Sequence, residues 1–468
     1  HALVREAAYA LLPDDARRVG HALAAGLMEA DGTHDAAVIA RHFELGQMFP
    51  AAARWYARAA EHALSHNDLT AALAHAQRAQ RWTDEPGARG NLELIIAEVQ
   101  FWRGDLAQAC AAAVRAAALQ PVASSSWFQA VGLIVTASGQ QGDDATVAHW
   151  CERVLELEPS SDVLSEFVLC LSRASSQLAW GEHHELGHAA LARADAVARE
   201  ALGPSAEARR EFARAYDRMR DGIVDACVAS LREVAEIYTR IGATRDALQM
   251  TMLGHAMGLY GGFIDAGLAA LEQCIADAER MDARYLADWA RWEVACAFLM
   301  KGELASGDAQ LALVSRAVNA QPLLRDVSTM LRAWAAFHND DIGELEAIVA
   351  SSSITHRRFR AALAGFAAYV NFRRGDAASA CDQAREAIAV LVATPGVRGD
   401  GGLAGFVPAL ATLVGAGAPD AIAALEEHLA RLESIAGKIV DPAYREALLH
   451  GAPWNRRVRE LRDEVMAR

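Results

Sequence analysis

Apolar residues recur along this chain at helical spacing and are interrupted at regular intervals by a small turn signature. Leu92, Ile95, Ile96, Val99 and Trp102 form one helical stripe within 91–103, which Gly104-Asp105 then breaks. A second stripe, Leu106, Ala109, Ala113 and Ala116, ends before Pro121. The same grammar returns at 248–281 and 288–319. Turn markers fall at Asn67, Gly104, Asp143, Gly181, Asp221, Gly261, Gly302, Asp340, Gly375 and Gly417, 35 to 42 residues apart. Self-similarity at that period predicts stacked helical hairpins. Alanines such as Ala109 and Ala116 suit this, because a small side chain lets antiparallel helices approach and the next pair stack on them. Short punctuation separates the units at 84–87, 158–161, 203–204 and 321–322. The Gly-rich stretch Thr394–Gly402 reads as a hinge or a loop on a binding face.

Composition narrows the class. Hydrophobic residues make up 53% of the 468, carried largely by alanine, while aromatics are only 7%, so an all-α protein with close helix contacts is expected. The predicted architecture is a right-handed α-solenoid of about ten hairpins with extra capping helices at both ends. The balance of 45 Lys+Arg against 60 Asp+Glu leaves a formal charge of −15, which repels phosphate backbones and anionic headgroups, so neither nucleic acid nor membrane is expected as a partner. Seven cysteines (110, 151, 170, 227, 274, 296, 381) stand singly, which argues against a disulfide framework or zinc knuckle and fits a reducing cytoplasm. The apolar stretches 128–138 and 402–415 are too short to span a bilayer. The chain opens at His1 already inside a helical pattern of Leu3, Val4, Ala7, Ala8 and Leu11, as a piece of a longer protein would.

The Gly-Asp-Leu turn, the alanine five residues after the turn glycine and the closing proline resemble tetratricopeptide repeats, most clearly at 90–121, 247–281, 288–322 and 361–395. Most units exceed the family's usual length. The two ends carry a narrower resemblance. His1–Arg18 resembles the segment that closes the winged-helix part of bacterial signal-transduction ATPases with numerous domains, and 51–82 is similar to the first repeats of that family. Asp441–Arg457 looks like their closing segment. That resemblance implies a regulatory arm downstream of an ATPase domain, often in chains that also carry a serine/threonine kinase domain. It places 1–48 as the end of the winged-helix region and a cap, 49–397 as the repeat array, and 398–468 as a last hairpin with capping helices. No Walker lysine motif or kinase loop occurs in the chain itself, so no catalytic residue and no cofactor is assigned.

The sharpest rival signal is His184-Glu185-Leu-Gly-His188. On a helix this spacing puts two imidazoles on one face for zinc and leaves the glutamate to activate water, a metallopeptidase arrangement. Its context is incomplete, since a metzincin's third ligand would stand at Ala194. With Gly181 as the turn, His184 and His188 face outward and Leu186 and Ala190 inward. His149, Trp150 and Glu152 read as helix packing, Ser124–Ser126 as a helix cap, and Gly399–Gly405 as a loop lacking the phosphate-binding lysine. The favoured chemistry is a surface. First helices of such hairpins line an inner wall on which aromatic or charged side chains can grip a protein or peptide, or a small-molecule effector. Phe101, Trp102, Trp289, Trp292, Tyr369, Phe372 and Arg373 are the candidates, with packing between repeats as their alternative role. Arg357–Arg360 and Arg456–Arg457 are basic clusters suited to an acidic partner or to solvent. A free-standing scaffold with no ATPase attached is the remaining alternative.

Overall fold

The computed structural model describes residues 6, 9–179, 183–354, 357–393 and 402–467. Among them there is no strand, and neighbouring helices pair into hairpins across short connectors. The fold is all-α, an α-solenoid of tetratricopeptide-like helical hairpins. The chain divides into two compact units, 1–137 and 138–468, a division that falls inside what the repeat period predicts as one array.

The first unit contains α1 (Asp14–Asp31), α2 (Ala36–Leu45), α3 (Phe49–Ser65), α4 (Leu69–Gln80), α5 (Pro86–Trp102), α6 (Leu106–Leu119) and most of α7 (Ser125–Gln140). Ala52 and Ala60 of α3, Ala72 and Ala76 of α4, and Ala109, Ala113 and Ala116 of α6 are fully buried. Ser124 begins α7 as a cap, its Oγ accepting the Trp127 amide at 3.2 Å.

The second unit runs through α8 (Asp144–Leu155), α9 (Leu164–Leu178), α10 (His184–Asp195), α11 (Pro204–Arg220), α12 (Val224–Arg240), α13 (Thr244–Tyr260), α14 (Ile264–Arg280), α15 (Arg284–Met300), α16 (Leu304–Leu313), α17 (Ser315–Ala320), α18 (Pro322–His338), α19 (Ile342–Ser351), α20 (Arg357–Arg373) and α21 (Ala377–Ala393). It ends with α22 (Phe406–Gly415), α23 (Ala421–Ala436), α24 (Pro442–Glu446), a π-helical turn Ala447–Gly451, and α25 (Pro453–Met466). From α11 to α16 the helices start at 204, 224, 244, 264, 284 and 304. Each of α11–α15 is 17 residues long and is followed by a three-residue connector. Two such helices and connectors make the forty-residue period. The predicted second helix of 288–319 is broken at Val314 into α16 and α17.

The three-residue connectors share one construction. A left-handed residue ends the first helix, and the amide after it reaches back five positions, as in Asp105 N to Gln100 O at 2.9 Å, beside Gly104 N to Phe101 O at 2.9 Å. The side chain of that second residue then caps the next helix wherever it is aspartate: Asp68, Asp105, Asp143 and Asp341 each accept an amide three residues on. Gly-Asp is thus one device that closes one helix and opens another. Three markers sit one residue from the left-handed position, which is Gly142, Gly222 and Gly262 instead of Asp143, Asp221 and Gly261. Gly181 and residues 394–401 of the Gly-rich stretch lie outside the described residues.

The C-terminal segment packs back onto helix starts, a connector and a helix far upstream. Asp225 Oδ2 accepts the amides of Val440 at 2.8 Å and Asp441 at 3.0 Å. Phe263 meets Tyr444 edge to face with centroids 4.8 Å apart, and Trp334 meets Trp454 at 5.9 Å. At Gly262, φ is +101° and a Cβ would lie 2.2 Å from the Ala447 carbonyl oxygen, so only glycine fits. The segment read as a cap therefore also closes a contact across roughly two hundred residues of sequence.

Candidate functional site

The seven candidate residues separate into two kinds. Phe101 and Trp102 on α5 are buried and lie edge to face at 5.2 Å. Trp289 and Trp292 on α15 are buried too. Trp292 Nε1 donates to Ser328 Oγ of α18 at 2.9 Å, and Trp289 Nε1 donates to Glu293, which also accepts from Tyr260 OH at 3.2 Å. These four indoles and rings make side-chain packing and buried hydrogen bonds. On α20, by contrast, Tyr369 and Phe372 are half-buried and Arg373 is exposed. Arg373 donates to Tyr369 OH at 2.9 Å, lies 5.6 Å from the Tyr369 ring centroid, and pairs with Asp340 of the preceding connector. The guanidinium holds Asp340 below the usual carboxylate range. Tyr369, Phe372 and Arg373 thus form an accessible aromatic and charged patch whose geometry is fixed by the neighbouring repeat.

On the same hairpin, α20 and α21 enclose a shallow groove of about 380 Å³, lined by Ala361, Ala364 and Ala367 on one side and Gln383, Glu386 and Ala387 on the other. Asn371 Nδ2 donates to Gln383 Oε1 at 2.7 Å at its end.

The His-Glu-x-x-His segment forms α10, as the zinc spacing requires, with His184 and His188 rings 5.9 Å apart. His188 Nε2 faces Arg220 and lies 3.6 Å from Asp217. Among the described residues, no group of three or more His, Cys, Asp or Glu side chains gathers there or elsewhere to hold a metal ion. The buried face of α10 is Gly187, Ala190, Leu191 and Ala194, so Gly187 takes the inward place expected of Leu186. The reason is close approach, since a Cβ on Gly187 would lie 3.1 Å from Leu178 Cβ. His149 is exposed and Trp150 only half-buried, with Arg153 4.6 Å above its ring, so neither belongs to the core that helix packing predicts. Of the basic clusters, Arg457 is engaged by Glu460 at 3.0 Å and Glu464 at 2.8 Å. Six of the seven cysteines are buried, Cys110 only partly, and none is in a disulfide. Burial raises the Cys151, Cys170 and Cys227 thiols to about 12, far from a reactive thiolate.

Two features escape the periodicity. Val19, Leu23 and Leu27 repeat every four residues on α1 yet are 50%, 65% and 73% exposed, a one-sided apolar stripe. On α11, Arg209 is only 8% exposed and has no ion pair or side-chain hydrogen bond among the described residues, whereas Arg210, Arg214, Arg218 and Arg220 on the same helix are all engaged by oxygen acceptors. A four-residue apolar spacing was visible in the sequence for the first. Nothing local marks Arg209.

Among the described residues, no helix is long and apolar enough to cross a membrane. No known family model matches the chain, and no curated protein matches it. Solved structures give distant likenesses. A Rap protein complexed with competence and sporulation factor is 10% identical over 74% of this chain and 99% of its own, with a TM-score of 0.45. The Cut9–Hcn1 hetero-tetramer of APC/C is 13% identical over 87% and 95%, at 0.32. Yeast Tom70 is 11% identical over 97% and 99%, at 0.31.

Proposed function

We propose that this chain is a recognition arm that receives a protein or peptide partner on its hairpins and passes the event to an attached signalling ATPase domain. The exposed stripe of Val19, Leu23 and Leu27 carries the second half of that proposal. An apolar face at this spacing on a surface helix is what a helix presents when another domain covers it. The two end segments that resemble multidomain signalling ATPases agree with a covering domain on the N-terminal side. Partner contact is assigned to Tyr369, Phe372 and Arg373, where an aromatic surface and a fixed cation remain accessible.

The test is ATP turnover of the full-length protein. Leu23→Glu with Leu27→Glu is expected to uncouple turnover from the arm while the isolated arm keeps its helicity. Tyr369→Ala with Arg373→Gln is expected to abolish the response to partner and leave basal turnover unchanged. A gene with no nucleotide-binding domain encoded upstream of His1 would overturn the ATPase half and leave a scaffold.

A further inference from the structure

We infer that His21 of α1 and His42 of α2 form a pH-sensitive latch, which holds α1 against α2 while the two rings share at most one added proton and releases it when both are charged. What release means for coupling rests on the covering domain proposed above, because α1 bears the exposed stripe. The latch itself does not. His21 lies midway between Val19 and Leu23 in sequence, about 200° around the helix from each, so it points away from the stripe. It is half-buried, and its Nδ1 meets His42 Nδ1 at 3.0 Å with ring centroids 4.9 Å apart. The same two helices touch backbone to backbone, since a Cβ on Gly46 would lie 2.8 Å from the Ala22 amide nitrogen. On the other side of His21, Tyr9 OH lies 2.7 Å from Nε2.

These distances fix where protons can sit. With both rings neutral, Tyr9 OH donates to His21 Nε2, and His21 Nδ1 donates to His42 Nδ1. One added proton reverses the chain, with His42 Nδ1 donating to His21 Nδ1 and His21 Nε2 donating to the Tyr9 oxygen. A second proton leaves two N–H groups and two cations facing each other at 3.0 Å with no acceptor between them. Among the described residues no carboxylate pairs with either ring, and the surrounding charges are engaged elsewhere or repel. Arg17 of α1 lies 5.5 Å from the Tyr9 ring centroid and pairs with Asp14, while Glu29 of α1 accepts from Trp55 of α3. On α2, Arg41 adds a like charge, and Glu44 accepts from Tyr56 OH of α3 beside Arg78 of α4. Burial first, then His21, then Arg41 lower the pKa of His42 from 6.5. The unfolded chain therefore binds protons more readily, so the stability of this hairpin is complete above that value and is lost as pH falls below it.

Hydrogen exchange on the whole chain tests the latch, with protection of α1 amides corrected for the intrinsic rate at each pH. Wild type is expected to lose about tenfold in α1 protection between about pH 7.5 and about pH 5, while α5 and α6 of the same unit keep theirs. His21→Gln and His42→Gln each leave one ring that can charge alone, and each is expected to shrink the loss to about twofold or less. His149→Gln, at an exposed histidine of the second unit, is expected to leave it at the wild-type size. No loss in wild type, a loss spread evenly over the unit, or the same loss in both pair variants overturns the latch. If both variants release α1 already at neutral pH, NMR of the wild-type histidine rings decides. The pair is expected to titrate in two steps about one pH unit or more apart, and a single common midpoint contradicts it. None of these readouts involves an ATPase or a partner, so their failure leaves the covering domain to its own test. An α1 that releases in acid when no nucleotide-binding domain is encoded upstream keeps the latch and removes only its consequence for coupling.

Discussion

His428 on α23 shows how one buried side chain sets a pH limit on the second unit. It packs against Phe406 with centroids 4.7 Å apart, and its Nδ1 has no partner. Burial first, and the charge of Arg431 second, lower its pKa from 6.5 to about 4. The unfolded chain therefore binds more protons between those values, so stability is complete above 6.5 and falls as pH drops through the window toward 4. The expected loss is on the order of 3 kcal/mol. Denaturant unfolding of His428→Leu at neutral and mildly acidic pH should show that slope flattened, and a slope equal to wild type contradicts the assignment. Residue by residue, sequence marks aromatics well and their environment poorly. Trp289 and Tyr369 sit at similar helical spacing, yet one is closed behind Glu293, which Tyr260 of α13 also engages, and the other is held by Arg373, which Asp340 of a connector anchors, so the difference depends on residues outside each helix.

The connector is the element in which sequence and structure agree most closely. Asp105 ends α5 through its amide and opens α6 through its carboxylate. Asp105→Ala should cost about 1 kcal/mol, read from denaturant unfolding. At Glu303 the backbone has nearly the same conformation, φ −84° and ψ 68°, with no side-chain cap. Glu303→Asp is expected to add stability of similar size, and a neutral or negative result would show that the cap is not what limits this turn. Gly-Asp pairs were legible because both residues have a local task. Gly242 and Asp282 adopt the same left-handed turn before alanine, where no capping side chain advertises it. They join hairpins instead of closing one, and the repeat period is blind to them.

At the scale of the molecule, the forty-residue period follows from 17-residue helices and three-residue connectors, and it predicts the helical class because neighbours in sequence are neighbours in space. It cannot predict the division near 137 or the contacts of 439–454 with Asp225, Gly262, Phe263 and Trp334, which depend on distant pairing. Gly262→Val combines a strained φ with a clash at the Ala447 carbonyl, and about 2 kcal/mol or more of destabilisation is expected. Hydrogen exchange should show amides at 439–452 losing protection while α18 and α19 keep theirs. Uniform loss across the unit would mean that the contact is part of the general core and not a separate clasp. The central claim, that this fold works by presenting surfaces, is tested most directly by a photo-crosslinking amino acid placed in living cells at Tyr369 and, for comparison, at exposed His149. The account predicts a discrete protein adduct from position 369 that Arg373→Gln abolishes and that position 149 does not form. No adduct at 369, or the same adducts from both positions, would contradict it.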